Sequence, residues 1–492
     1  MGVPKLWEAI KPASEQHDFL EFTLQAGFRH GGPNCVPMII GVDASVWMYQ
    51  ADYAISFSNA KAGPKPQLRV LFYRLARLLS LPTRVVFVFD GPERPATKRG
   101  VQVLTQGHRL TAPFLELIHE FGYHAYEAPG EAEAELAMLN KSGFIDAVMT
   151  TDVDALLFGA QAIVIPPNKK KDGGNVTVYT SERVFITPTV SLSRGGLLFV
   201  ALLAGGDYNK FKGITGCGIH LALSVARSNL GDLLLRETLN HPEVTASFTA
   251  FLEGWRNAVA HEFHDDPNGY LGRKHRAIAA AILTPPSFPD LNVLYAYTHP
   301  ITSWSPNHSL PDYQTWGLPQ PSLTGIAKLC QLHFDWKATE ISKTLTRCLY
   351  PGIVLQSLLQ VRIPPFDLHA LLHAHVNHGV CMDTEFPRSS VLSIVRTKTI
   401  QLATHLSEHY LVKVSTAAVG FRVQSVLKDP SAFPTATLAH IWIPARIIHY
   451  ALPDLISACA RVDGAKGYRA RRKTKPKKIG TVPFTFECLK PI

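Results

Sequence analysis

Seven acidic side chains, Asp43, Asp90, Glu131, Glu133, Asp152, Asp154 and Asp207, punctuate the first 207 of 492 residues, and most of them follow a short apolar run. The runs MIIGV before Asp43, VVFVF before Asp90 and AVMTT before Asp152 are short stretches of the kind that fill the middle of a parallel sheet. Carboxylates so placed collect at the carboxyl ends of the strands, the edge where open α/β sheets bind ligands. Unpaired acids gathered there repel one another unless divalent cations bind between them. The pattern points to metal-dependent phosphate chemistry.

The sharpest piece is TTDVDALLFG, in which Asp152 and Asp154 form a DxD just after a buried strand, so that both carboxylates reach one cation pair from a loop. In PGEAEAELAML, Glu131, Glu133 and Glu135 open a helix whose dipole tolerates negative charge, which by itself explains any one of them. Glu131 and Glu135 share a face at i, i+4 and Glu133 points elsewhere, so spacing does not choose among the three. Asp207 follows the apolar helix GLLFVALLAGG, where a cap is the plain alternative. Six residues on, Gly213, Gly216 and Gly218 lie between two apolar helices. Glycines there free backbone N–H groups for a DNA phosphate, and outward carbonyls for a monovalent cation.

Strand and helix patterns alternate through the first two hundred residues, which predicts a mainly parallel, twisted sheet flanked by helices. ASVWMYQADYAISF after Asp43 reads as a helix, as does QLRVLFYRLARLLS, with Leu68, Leu71, Phe72, Leu75, Leu78 and Leu79 at helical spacing. IVIP and VTVY flank PNKKKDGGN as a β-hairpin, whose Lys169, Lys170 and Lys171 either touch phosphate or keep the tip soluble. The expected divisions are a core over 1–194, a helical region over 195–390, a small β-plus-helix module over 395–460 and a basic tail over 461–492. In the module HYLVKVS, GFRVQSVL and HIWIPARIIHY read as three strands and LPDLISACAR as a closing helix.

A hydrophobic content of 46% suits a globular chain with real cores. Seven scattered cysteines without a CxxC pair favour a reducing compartment. The start MGVPKLWEAIKP has no secretory apolar core, and the longest apolar runs are too short to span a bilayer, so no membrane role is expected. Formal charge is +10, and eight uncompensated cations between Gly464 and Gly480, Arg471, Arg472 and Lys473 among them, leave +2 for everything else. That run reads as a polyanion-binding tail, a nuclear address, or a plain solvated extension. The histidines of DLHALLHAHVNH, His369, His373, His375 and His378, lack a nearby glutamate or cysteine partner and read as helix surface rather than a zinc site.

Taken together, MGVPKLW, GVDASVWMYQ, FVFDGPERPATKR, APGEAEAELAML, TTDVDALLFG and LLAGGDYNKFKGITGCG resemble the ordered blocks of the XPG-type superfamily of structure-specific 5′ nucleases, which includes the flap endonucleases. The resemblance implies a PIN-like nuclease core and a helix-two-turn-helix element at the glycine loop that grips duplex DNA, often with K+. It implies that Glu131 and Glu133, not Glu135, join the five aspartates around two Mg2+ ions. It places Gly2 beside the active site and makes Lys98, followed by Arg99, the basic residue at the scissile phosphate. Arg109 either completes that basic wall or is an exposed helix-start arginine. The implied reaction is two-metal phosphodiester hydrolysis leaving 5′-phosphate and 3′-hydroxyl ends.

Three features select a branch. Only 40 residues separate Asp90 from Glu131, little room for the long arch through which flap endonucleases thread a free 5′ end. No clamp-binding motif of the QxxLxxFF type is seen. The 395–460 module resembles a chromodomain, and a chromodomain behind an XPG-type nuclease is the arrangement of the eukaryotic Holliday-junction resolvases, here of fungal type. The expectation is a nuclear enzyme that cuts four-way junctions by paired symmetric nicks, with a second copy on the junction, and that also cuts 5′ flaps. Val414 stands where a methyl-lysine cage would carry Trp, so DNA contact or a structural role is expected of the module rather than histone reading, with Tyr410 and Trp442 as core aromatics. The rival readings are a flap or excision-repair nuclease of the same superfamily, and a catalytically silent junction-binding protein.

Overall fold

The computed structural model describes residues 2–457 except 28–35, 57–62, 96, 99–100, 103–106, 167–174, 209–212, 285–287, 361–387, 402–405 and 431–437. Arg99, Lys169, Lys170, Lys171, the four histidines from His369 to His378, and the basic tail with Arg471, Arg472 and Lys473 therefore lie outside the described residues.

The centre is a seven-stranded sheet made of β1 (Glu15–Asp18), β2 (Met38–Asp43), β3 (Thr83–Phe89), β6 (His124–Glu127), β7 (Ala147–Met149), β8 (Ala162–Ile165) and β9 (Asn175–Thr180), in the order β1-β9-β8-β7-β2-β3-β6. The five strands from β8 to β6 run parallel, and β9 and β1 add antiparallel pairs, β8 and β9 forming the expected hairpin. Between β3 and β6 lie two short strands, β4 (Thr97–Lys98) and β5 (Val101–Gln102), paired with each other.

The apolar runs behave as fully buried strands because side chains alternate between two cores. On β3, Val85, Phe87 and Phe89 join one core with the helices Pro66–Leu79 and Thr111–Glu120, while Val86 and Val88 join the other with Ala132–Lys141 and Arg194–Ala204. The first core extends to the helices Leu323–Phe334 and Tyr350–Leu359; Phe72 meets Phe334 edge to face at 5.7 Å. The second takes in the helices Ile219–Val225, Leu230–Asn240, Ala246–Asp265, Arg276–Leu283 and Leu291–Thr298. No helix among the described residues is long and apolar enough to cross a membrane.

The C-terminal module differs from the sequence expectation in two of its three strands. Its sheet is β10 (Val391–Gln401), β11 (Leu406–Ser415) and β12 (Leu438–Pro444), in that order and antiparallel. GFRVQSVL lies in a helix, Ala417–Val426. Val419, Val423 and Leu427 recur every fourth residue and are buried, whereas Phe421, which a strand would align with Val423, is 73% exposed. HIWIPARIIHY is strand only to Pro444, whose ring has no N–H to give a ladder; a helix Ala445–Ala451 follows. Within LPDLISACAR, residues 453–457 are helical. The module rests on the core through the helix Leu323–Phe334 and through Glu21, which accepts from Arg446 at 3.4 Å and from the Ser407 hydroxyl at 3.4 Å.

Candidate active site

All seven predicted acids are at the carboxyl edge of the sheet or in the turns beside it. Asp43 ends β2, Asp90 follows β3, and Asp152 and Asp154 follow β7. Glu131 caps and Glu133 opens the helix Ala132–Lys141, and Asp207 lies beyond the helix Arg194–Ala204. Six of them are buried, with Asp90 half-buried. Local hydrogen bonds fix several: Val46 N–H donates to Asp43 Oδ1 at 2.9 Å, Ala132 N–H to Asp90 Oδ1 at 2.9 Å, and Asp154 N–H to Asp152 Oδ1 at 3.1 Å.

Burial and mutual repulsion hold the protons of four of them on. Burial first, then Asp90 and Glu133, pushes Asp43 well above the ordinary aspartate range; burial, then Glu133 and Asp154, does the same to Asp152. Asp154 is pushed up to about 8 by burial, Glu133 and Asp207, and Glu131 to about 7 by burial and Glu133. Glu133 raises all four, so it sits at the electrostatic centre of the cluster.

The three glutamates differ in their side-chain contacts. Lys98 Nζ pairs with both Glu131 and Glu133, the latter at 2.8 Å. Glu135 is fully buried elsewhere, accepting from the Tyr126 hydroxyl at 3.0 Å and from Ser303 N–H at 2.8 Å. Burial alone would lower the Lys98 ammonium, but Glu133 and Glu131 outweigh it and hold it far above the usual lysine value. Arg109 pairs with Asp52 and its side chain is 62% exposed.

Gly2 is pressed against the DxD turn. Its φ is +83°, and a Cβ would stand 2.2 Å from Asp154 Oδ1 and 2.6 Å from Asp152 Oδ1. Only glycine fits there. Gly213, Gly216 and Gly218 form the turn between the helices Arg194–Ala204 and Ile219–Val225; Gly213 has φ +44° and room for no side chain against Leu203 O.

Four tyrosines were not singled out from sequence. The Tyr208 hydroxyl bonds Glu131, the Tyr297 hydroxyl donates to Asp154 Oδ2 at 2.8 Å, and Tyr49 and Tyr53 stand exposed on the helix leading away from Asp43. Tyr208 adjoins Asp207 and its place was legible. Tyr297 is 143 residues from Asp154 and nothing local marks it.

Among the described residues, no three His, Cys, Asp or Glu side chains are closed tightly enough to hold a metal ion as they stand; the Lys98 ammonium is inserted between two of them. The donor set nevertheless fits a hard cation. It is all oxygen, and among the described residues Asp152 Oδ2 is buried without a hydrogen-bond partner, an acceptor that a cation would satisfy.

Known proteins place this arrangement. The XPG N-terminal domain family matches residues 1–109 and the XPG I-region family residues 122–207. Flap endonuclease GEN homolog 1 of Mus musculus is 29% identical over 254 residues, covering 48% of this chain and 26% of its own length. Flap endonuclease GEN-like 1 of Arabidopsis thaliana is 29% identical over 265 residues, with 48% and 40% covered. The chain thus spans well under half the length of these relatives. The crystal structure of the Holliday junction-resolving enzyme GEN1 with product DNA and Mg2+ superimposes with a TM-score of 0.69 at 25% identity, over 94% of this chain and 100% of that one. A eukaryotic junction-resolving enzyme GEN-1 binding potassium gives 0.69 at 26% identity over the same shares. With both family segments in order and the acids of both at one sheet edge, residues 1–109 and 122–207 are the XPG N-terminal and I-region segments of an XPG-type nuclease, and the chain shares the fold of the junction-resolving enzyme beyond them.

Proposed function

We propose that this chain is a Mg2+-dependent, structure-specific DNA endonuclease that resolves four-way junctions by paired symmetric nicks and also cuts 5′ flaps. The observation that carries the chemistry is the acidic cluster with its unsatisfied Asp152 Oδ2. A catalytically silent remnant would gain nothing from a buried carboxylate oxygen left unpaired, which costs about 1–3 kcal/mol or more.

Asp43, Asp90, Glu131, Glu133, Asp152, Asp154 and Asp207 would hold two Mg2+ ions. Bound there, the ions supply the charge that activates water and stabilises the leaving oxygen. The protein's part is positioning. Lys98 brings a cation to the scissile phosphate from the short β4–β5 hairpin. The backbone N–H groups around Gly213, Gly216 and Gly218 hold a duplex phosphate, with K+ as the monovalent partner of that turn. Tyr49 and Tyr53 offer exposed rings on which unpaired bases stack.

A junction with no free end suits the short connection after Asp90. The helix Thr111–Glu120 is committed to the core through Phe114, Leu117 and Ile118, which leaves only 91–110 for an arch. The module supports DNA contact over histone reading. Val414 is fully buried, and the ring of Trp442 carries the chain's own Lys398 ammonium at 4.8 Å. Leu411, Lys413, His440 and Trp442 share one face of its sheet, with Arg396 beside Leu411. Two copies on one junction would give the paired cuts, and the run from Lys466 to Lys478 supports nuclear residence.

A cleavage panel of intact four-way junctions, 5′ flaps and bubbles in Mg2+ tests the reading. Symmetric nicking of the junction is expected, and cleavage confined to flaps or bubbles would assign the chain to another branch of the superfamily.

A further inference from the structure

Asp154 is held from two sides that are far apart in sequence. Val3 N–H donates to its Oδ1 at 3.1 Å and the Tyr297 hydroxyl to its Oδ2 at 2.8 Å. Tyr297 belongs to the helix Leu291–Thr298, outside both family segments. It is fully buried, packs on Phe158 at 5.6 Å, and meets Tyr208 edge to face at 4.8 Å. Tyr208 in turn bonds Glu131, so two touching tyrosines each hold one acid of the cluster. The backbone around Tyr297 is tied to the same turn: Arg194 donates to Tyr297 O at 3.4 Å and to Leu157 O at 2.8 Å.

The glycine before Asp207 is shaped to this hydroxyl. A Cβ on Gly206 would stand 2.7 Å from the Tyr297 oxygen, while its next neighbours, Val3 Cγ2 at 3.5 Å and Tyr297 Cζ at 3.7 Å, are ordinary contacts. The phenolic oxygen alone forbids a side chain at Gly206.

We propose that Tyr297 is a positioning residue of the acidic site: its buried hydroxyl fixes the rotamer of Asp154, and the bare backbone of Gly206 exists to admit that hydroxyl. The inference rests on the proposed metal-binding role of the cluster. A carboxylate has about four lone-pair positions; Val3 and Tyr297 take one on each oxygen and leave the rest aimed at the cluster. Partners of this kind typically govern metal affinity by about 10–100-fold. The helix Leu291–Thr298 therefore completes the active site rather than merely bracing it.

The test is calorimetric titration of the full chain with Mn2+ alone, without DNA. Tyr297→Phe keeps the ring and removes one hydrogen bond; it should weaken Mn2+ about 10-fold or more, with the thermal melt of the metal-free protein confirming that the variant is folded. Tyr295→Phe, on the same helix but donating to His241 O at 2.8 Å, should leave Mn2+ affinity unchanged. Gly206→Ala should weaken Mn2+ in the wild-type background and add nothing when combined with Tyr297→Phe, where the obstructing oxygen is gone; this comparison is internal and survives an overall loss of stability. Equal Mn2+ affinity in wild type and Tyr297→Phe, or additive effects of Gly206→Ala and Tyr297→Phe, would overturn the inference. Failure of the wild-type protein to bind Mn2+ at all would instead overturn the metal-site reading on which it rests.

Discussion

Replacing Lys98 by methionine keeps the aliphatic stem and removes the ammonium that Glu131 and Glu133 share. Its Nζ lies 2.8 Å from Glu133 Oε1, and at an effective dielectric of about 20 the lost attraction is about 6 kcal/mol before the desolvation of the ammonium is subtracted. Proton uptake limits the loss. Glu131 is already pushed up to about 7, so near neutral pH it sheds its charge cheaply, and the cost falls chiefly on Glu133. Truncating one partner of a buried pair costs about 3–5 kcal/mol, and with Lys98 28% exposed the low end, about 3 kcal/mol at pH 7, is expected.

The pH dependence has a definite sign. In the wild type the raised Glu131 value means that the folded state binds a proton the unfolded chain has released, so the contribution of this group to stability falls as pH rises from the ordinary glutamate value to about 7 and then levels off, while Asp154, raised to about 8, carries the decline further in wild type and variant alike. Without Lys98 the folded Glu131 value rises further and the fall continues, at about 1.36 kcal/mol per pH unit for each proton held. About 2 kcal/mol more should be lost between pH 7 and 8.5. Urea unfolding in EDTA at the two pH values reads this directly. Mg2+ at about 100 times its dissociation constant contributes about 2.7 kcal/mol and should restore most of the deficit, because a divalent cation takes over the ammonium's task. A variant as stable as wild type in EDTA, or a loss unchanged by Mg2+ and by pH, would refute the reasoning.

Glu133 and Glu135 should fail in opposite ways. Glu133→Gln is expected to lose Mn2+ binding with little change in stability, because relief of its repulsion with Asp43, Glu131, Asp152 and Asp154 offsets the lost pairing with Lys98, whereas Glu135→Ala strands the Tyr126 hydroxyl and Ser303 N–H, costs about 2–4 kcal/mol by denaturant unfolding, and leaves Mn2+ titration intact. Arg396→Ala with Lys413→Ala should weaken junction binding uniformly across sequences and make the slope of log affinity against log salt shallower by about 2, read by fluorescence anisotropy at several salt concentrations.

The acids and the sheet that gathers them were legible because burial on both faces leaves an unmistakable signature. MIIGV and VVFVF have no alternation and run straight into Asp43 and Asp90, and the strand Ala147–Met149 reaches Asp152 at the same edge two threonines later. Helix spacing paired Glu131 with Glu135, yet the helix begins only at Ala132, so Glu131 is its extended cap and is not bound by the i, i+4 rule. That geometry brings Glu131 and Glu133 to Lys98 and turns Glu135 inward. The module was less legible. Val419, Val423 and Leu427 fit helix spacing, but Phe421 with Val423 also fits a strand, and exposure of Phe421 is a tertiary fact that no local pattern carries. Tyr297 was invisible for the same reason: a tyrosine in an apolar helix reads as packing until its hydroxyl is seen on Asp154.

The most direct test of the metal-dependent nuclease reading is cleavage of an end-labelled four-way junction by wild type and Asp152→Asn, with and without Mg2+, beside junction binding measured in Ca2+. Wild type should nick the junction symmetrically only with Mg2+, leaving 5′-phosphate and 3′-hydroxyl ends, and Asp152→Asn should bind it undiminished while cutting at least a hundredfold more slowly, about 3 kcal/mol in barrier. Undiminished cutting by Asp152→Asn, or cutting that needs no divalent ion, would contradict the account.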